Sequence, residues 1–212
     1  MQRRVFHAGL LVGGALALAG PLRAQRPPQE GQDFRRLAKP APVDAPTGKI
    51  EVVEFFWYSC PHCNAFEPLL EAWSRRMPRD MVLRRVPVAF RPDFEPQQRL
   101  FFVLETLGRL DLHMKVFQAI HQDRQPLGSE EAILAWAQTQ GLPRAKVQAA
   151  YQSFGVTTRI RRAQLLQDAY EVEGVPALGV AGRFYTDGEM AGDMARAVQV
   201  ADSLVARVRQ GR

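Results

Sequence analysis

The chain has only two cysteines, and they stand three positions apart as Cys60-Pro61-His62-Cys63. At that spacing on a first helical turn, two sulfurs come close enough to form a disulfide. Pro61 suits such a turn, because the N–H it lacks would have had no partner inside the helix. Cys60 then lies at the positively polarised helix start, where unpaired N–H groups stabilise a thiolate. His62 places a further donor or cation beside that sulfur. The thiolate is the reactive form, so a depressed Cys60 pKa makes the pair reactive at neutral pH. The depression also sets the direction of electron flow. A fall from about 8.5 to about 5 would favour the dithiol by roughly 2.7 kcal/mol at pH 7, or roughly 60 mV. That points to an oxidant rather than a reductant.

Other uses of two cysteines fit less well. Zinc takes about four ligands, and the sequence has neither a second cysteine pair nor a His-x-x-x-His. Haem attachment needs a histidine directly after the second cysteine, where Asn64 stands. A purely structural disulfide closing so small a loop would contribute little stability.

The motif needs a strand before it and a helix after it. Residues 50–57 form a nearly continuous β-branched and aromatic run, the pattern of a strand covered on both faces. Beyond the motif, Phe66, Leu69, Leu70 and Trp73 fall on one side of a helix. Glu54 interrupts the apolar pleat face of Ile50, Val52 and Phe56. It stands six residues before Cys60. A buried carboxyl there has a raised pKa and is placed to carry the proton of Cys63, whereas an ordinary strand charge would be exposed.

Residues 81–90 predict a second strand, with Pro87 at its exit. From about 96 to 170 the period is helical. Leu100, Phe101, Leu104 and Leu107 share one face, and Leu110, Met114, Phe117 and Ile120 another. Further helices start at Ser129 and at Pro143, read as a first-turn proline. Strands at 175–180 and 183–186 joined at Ala181-Gly182 make a hairpin, and a last helix spans about 192–208. His113 and His121 read as surface or packing residues, and Arg159, Arg161 and Arg162 as a solvated face. Phe101, Phe102 and Phe117 read as core, and Trp57 as packing beside the motif.

Across the 212 residues, 28 Lys plus Arg face 22 Asp plus Glu, for a net charge of +6. Three of the arginines (Arg3, Arg4, Arg23) lie in the first 24 residues, and what remains has no dense basic run. That argues against a nucleic-acid partner. Arg3 and Arg4 precede an apolar stretch of 13 residues, 8–20, and Leu22-Arg23-Ala24 offers a small residue before a cut. This reads as an export signal cleaved near Ala24, too short to span a bilayer. The paired arginines before Val5 and Phe6 also fit a twin-arginine signal. The exported chain meets an oxidising compartment, where disulfides persist.

The segment Glu54-Phe55-Phe56-Trp57-Tyr58-Ser59-Cys60-Pro61-His62-Cys63 resembles the active-site segment of the thioredoxin superfamily. Cys-Pro-His-Cys is the form typical of the DsbA family of periplasmic disulfide oxidases, already known for a very low cysteine pKa and an oxidising potential. Gly174-Val175-Pro176-Ala177 is similar to that family's cis-proline loop, and Ala181-Gly182-Arg183-Phe184-Tyr185 to its following hairpin. Pro68 matches the kink proline of thioredoxin-like helices. The resemblance spans about residues 49–208. It implies an α/β, thioredoxin-like fold with an inserted helical domain, which accounts for the 113 positions between Cys63 and Pro176. The expected organisation is a signal peptide at 1–24, an extended segment at 25–49, a thioredoxin-like domain from 50–95 and 171–212, and the helical insert at 96–170.

What is expected, then, is an exported dithiol oxidase, a monomer needing no metal or organic cofactor. Cys60 and Cys63 form its redox-active disulfide, Pro61 and His62 tune it, and Glu54 moves a proton. The backbone of Val175, turned by a cis bond to Pro176, pairs with an extended peptide. The substrates are reduced, unfolded exported proteins, and the resemblance implies a DsbB-like membrane quinone reductase for reoxidation. A reductase or isomerase is the rival within the class, although such reductases usually have Gly-Pro where Pro61-His62 stands. A non-catalytic periplasmic peptide-binding module is the rival outside it.

Overall fold

The computed structural model describes residues 26–211, so the export signal and its cut near Ala24 lie outside the described residues. Five strands form one mixed sheet in the order β1-β5-β4-β2-β3. They are β1 (Arg35–Arg36), β2 (Ile50–Phe56), β3 (Met81–Pro87), β4 (Ala177–Val180) and β5 (Phe184–Asp187). β2 pairs parallel with β3 and antiparallel with β4, so the strand that leads into the cysteines is interior. Helix α1 (Pro61–Ser74) follows β2 and carries Pro68 within it. Between β3 and β4 comes the helical insert: α2 (Glu95–Thr106), α3 (His113–His121), α4 (Glu130–Thr139), α5 (Arg144–Tyr151) and α6 (Phe154–Ala169). The short α7 (Gly188–Ala191) and the long α8 (Met194–Arg209) close the chain.

The β2 sequence explains why both faces are covered. Val53 and Phe55 join a core with the insert helices, while Val52 joins Leu178, Val180, α1 and α8. Each such side chain, fully buried, is worth about 1.5–3 kcal/mol before the entropy of ordering is set against it. Phe101, Phe102 and Phe117 are core residues, as read. Tyr170, at the end of α6, lies flat on β4 at Gly179, where any Cβ would overlap its ring. Its hydroxyl accepts the Gly182 N–H at 2.9 Å.

Several sequence expectations are corrected. Residues 25–49 are more than a lead-in: β1 pairs antiparallel with β5, and Leu37 and Ala41 donate backbone bonds of 2.8 Å to Arg183 and Gly182. The hairpin loop has three residues, Ala181-Gly182-Arg183, with φ of 53° and 65° at the first two, so β5 starts at Phe184. The α7 turn separates that hairpin from the last helix. Pro143 sits one place before its helix, with extended backbone (φ −61°, ψ 123°), rather than in the first turn. The inward face of α3 is His113, Val116 and Phe117, while Leu110 and Met114 are 42% and 41% exposed. A histidine takes the inward position there because it finds polar partners.

Candidate active site

Helix α1 begins on Cys60. Its backbone is extended (φ −78°, ψ 118°), and its Sγ accepts the Cys63 N–H at 3.4 Å, as a capping side chain does. Pro61 and His62 follow, both exposed. Across from them, Cys60 Sγ lies 3.4 Å from the carbonyl oxygen of Val175, whose bond to Pro176 is cis. Both cysteines are free, the dithiol state. Cys60 keeps 8% exposure and Cys63 has none.

The two sulfurs are driven apart electrostatically. Hydrogen bonding from the Cys63 thiol, then from the Cys63 and His62 backbone N–H groups, lowers the Cys60 pKa to about 6, with burial opposing and the His62 side chain assisting. Burial pushes Cys63 far up, and its bond to Cys60 and the nearby Glu54 push the same way. The outer sulfur is therefore an anion at neutral pH, and the inner one a thiol. With Cys60 at about 6, the gain of the dithiol at pH 7 is roughly 1 kcal/mol once screening by solvent is allowed for. That is on the order of 20 mV, smaller than the sequence-based figure.

Behind Cys63 lies a buried charge cluster. Glu54 is fully buried on β2, opposite Arg85 of β3 in register. Arg85 Nε is 3.2 Å from Glu54 Oε2 but out of line for a hydrogen bond, so Glu54 has an ion-pair contact and no well-aligned donor. Burial, followed by the neighbouring Glu67, holds the Glu54 carboxyl well above the usual range, against the pull of Arg85. Glu67 of α1 is also fully buried but well supplied. Arg85 donates to its Oε2 at 3.0 Å and His113 Nε2 lies 2.8 Å from its Oε1. Those bonds outweigh burial and hold Glu67 below its ordinary pKa.

The insert grips the residues just before Cys60. Gln97 of α2 accepts the Ser59 N–H at 3.1 Å and donates to Ser59 Oγ and to the Pro126 carbonyl at 2.6 and 2.7 Å. His121 Nε2 donates to the Tyr58 carbonyl at 2.8 Å. The Trp57 ring stacks on Phe94 at 3.7 Å between centroids, beside the motif as read. On the other side an open cleft of about 570 Å³ passes from His62 along Val175 and Pro176 to Gly188 and Met194. Glu54, Cys60, Cys63, Val175 and Pro176 thus come together. Sequence reasoning missed Glu67, Arg85, Gln97 and the part played by His113. Glu67 alone had a local signal: four residues beyond Cys63, it lies on the same side of α1.

Over residues 51–202 the chain matches the family described as DSBA-like thioredoxin domain. It is 43% identical over 211 residues to a Bordetella parapertussis protein named thiol:disulfide interchange protein DsbA, covering 99% of this chain and all of that relative. A protein of the same name from Pseudomonas aeruginosa is 37% identical over 180 residues, 84% of this chain and 85% of the relative. The crystal structure of Pseudomonas aeruginosa DsbA matches with a TM-score of 0.81 at 36% identity, covering 85% of this chain and 94% of that one. That of the oxidoreductase DsbA from Xylella fastidiosa gives 0.81 at 29% identity, covering 87% and 100%.

Proposed function

The chain belongs to the DsbA family of thioredoxin-fold proteins and is a thiol:disulfide oxidoreductase; on that premise we propose how its own residues carry the reaction. The observation that supports the reading best is the opposite tuning of the two sulfurs, with Cys60 depressed to about 6 and Cys63 raised. A thiolate of a reduced, unfolded protein attacks Cys60 Sγ. The S–S electron pair passes to Cys63, which takes a proton and becomes a thiol. A second substrate thiolate then attacks the substrate sulfur of the mixed disulfide, and Cys60 leaves as a stabilised thiolate. The substrate has lost two electrons and the pair has gained them.

Pro61 keeps the first turn of α1 free of a competing donor, and His62 offers Cys60 its backbone N–H and side chain. Glu54, held neutral under Cys63, supplies the proton. The backbone of Val175, beside cis-Pro176, receives an extended stretch of substrate while its carbonyl faces Cys60. Residues 1–24 act as an export signal, cut near Ala24, and the mature chain works in the periplasm. Residues 25–49 brace the hairpin, and 96–170 are the insert within a thioredoxin-like unit of 50–95 and 171–212. A DsbB-like membrane quinone reductase returns Cys60 and Cys63 to the disulfide.

Mixing the oxidised protein with a reduced, unfolded test protein checks this. Stoichiometric disulfide formation in the test protein is expected, with none from Cys60→Ser. Cys63→Ala, first charged at Cys60 as a mixed disulfide with a small aromatic thiol, passes that bond to a single-cysteine test peptide as a trapped mixed disulfide while the small thiol leaves. A wild-type chain that binds unfolded peptides yet oxidises nothing is a binding module, and the oxidase reading fails.

A further inference from the structure

His113 opens α3 with 5% exposure, and buried imidazoles of this kind have both nitrogens bonded. Nδ1 lies 2.8 Å from the Tyr58 hydroxyl and Nε2 2.8 Å from Glu67 Oε1. A carboxylate can only accept, so Nε2 carries the hydrogen, and Nδ1 accepts the one from Tyr58. Burial favours the neutral imidazole over the influence of Glu67, so the contact is a hydrogen bond to a carboxylate rather than an ion pair. The groups facing His113 come from several elements: Glu67 and Glu71 of α1, Tyr58 just beyond β2, and Arg85 of β3, with Glu54 of β2 next to Tyr58. Asp44, Glu51, Arg84 and Glu105 of α2 line the same cleft.

The two buried carboxyls are unequal in donors. Glu67 receives an in-line hydrogen bond at each oxygen, from His113 and from Arg85, whereas Glu54 has only the off-line contact of Arg85 Nε at 3.2 Å. Side by side at low dielectric, such a pair holds one proton, and it resides on the carboxyl with the poorer donors. Arg85 stands close to both acids; His113 bonds to only one. Among the described residues, His113 is the side chain of the helical insert that hydrogen-bonds to the acids behind Cys63.

We propose that His113 is a positioning residue: by donating to Glu67 from the helical insert, it keeps the shared proton on Glu54, where Cys63 can take it. This rests on the reading of Glu54 as proton donor. In the step concerned, the electron pair of the broken Cys60–Cys63 bond goes to Cys63. The Glu54 proton moves to that sulfur, Glu54 is left as a carboxylate, and water returns the proton. With no donor at position 113, the proton divides between the two carboxyls and less of it is available to Cys63.

The test uses the full reduced chain with ¹³C-labelled glutamate carboxyls, titrated as wild type, His113→Leu and His113→Gln. In H113L the Glu67 midpoint rises and the Glu54 midpoint falls, while H113Q, whose amide still donates, stays near wild type. The Cys60 thiolate midpoint is the same in all three. In stopped flow, oxidised H113L reacts with a small thiol up to about tenfold more slowly at pH 7, and Glu54→Gln about 10²-fold more slowly. If H113L does not fold, His113→Asn, too short to reach Glu67, replaces it. Carboxyl midpoints that stay fixed in a folded, donor-less variant overturn the proposal. Midpoints that move while E54Q reacts at the wild-type rate overturn Glu54 as donor but leave the control of the proton by His113 standing.

Discussion

Replacing Cys63 with Ala probes the largest influence on the nucleophile. The Cys63 thiol is the leading cause of the low Cys60 pKa, ahead of the N–H groups at the helix start. A hydrogen bond to a charged group is worth about 1.5–3 kcal/mol, and a thiol is a weak donor, so its loss costs about 1.4 kcal/mol. That moves the Cys60 midpoint by about one pH unit, from about 6 toward about 7. The consequence for rate has two parts of opposite sign. At pH 5 the ionised fraction falls about ninefold, whereas the more basic thiolate is intrinsically about threefold more nucleophilic, given a Brønsted slope near 0.45. The variant therefore attacks a small symmetrical disulfide about threefold more slowly than wild type at pH 5. At pH 8, where Cys60 is largely ionised in both proteins, it attacks about 2.5-fold faster. The two pH–rate curves cross between about pH 6 and 7. Far-ultraviolet thiolate absorbance gives the midpoint, and stopped-flow mixed-disulfide formation gives the rates. Curves that superpose, with the midpoint still near 6, refute the reasoning and assign the whole effect to the backbone N–H groups of α1.

The depressed Cys60 pKa stabilises only the reduced fold. That contribution is complete above the unfolded value of about 8.5 and disappears as pH falls through about 6; the thermal midpoint of the reduced protein, taken relative to the oxidised, must drop across that window. Glu54 has the opposite sign. A carboxyl raised in the fold binds its proton there more tightly than in the unfolded chain, so stability falls as pH rises above the unfolded value of about 4.3. Glu54→Gln abolishes that part of the fall, and denaturant midpoints at pH 5 and pH 8 measure it; an unchanged slope contradicts the cluster as described. Gly179→Ala drives a methyl into the Tyr170 ring, an overpacking worth about 2 kcal/mol and a Tm fall of roughly 4–8 °C. A Tm within a degree of wild type means the ring moves aside freely.

What the sequence disclosed was local chemistry at short spacing. Two cysteines on one helical turn, a proline suited to it, an acid on the preceding strand and a downstream Val-Pro could be placed because each obeys a rule of a few residues' reach. The missing pieces depend on tertiary contact. Gln97 meets Ser59 from 38 positions away, and Arg85 meets Glu67 from 18, with no local pattern to announce either. At α3, hydrophobic periodicity chose Leu110 and Met114, because a histidine counts as polar until Tyr58 and Glu67 are known to await it. A two-residue strand such as β1 carries no alternation at all, so its pairing with β5 was invisible among prolines and charges.

That small strand also bears on how a disulfide oxidase avoids unwanted pairing with extended chains. Left bare, β5 would present a row of unsatisfied amides and carbonyls, a template on which any extended client could lie down. Arg35 and Arg36 cap it with only two residues, and their guanidinium groups stand over the Tyr185 and Phe184 rings at 4.3 and 4.8 Å. So brief and so charged an outer rung leaves no length for a visitor to extend. An extended polypeptide is thereby refused along this flank of the sheet, while the cleft beside the sulfurs stays open.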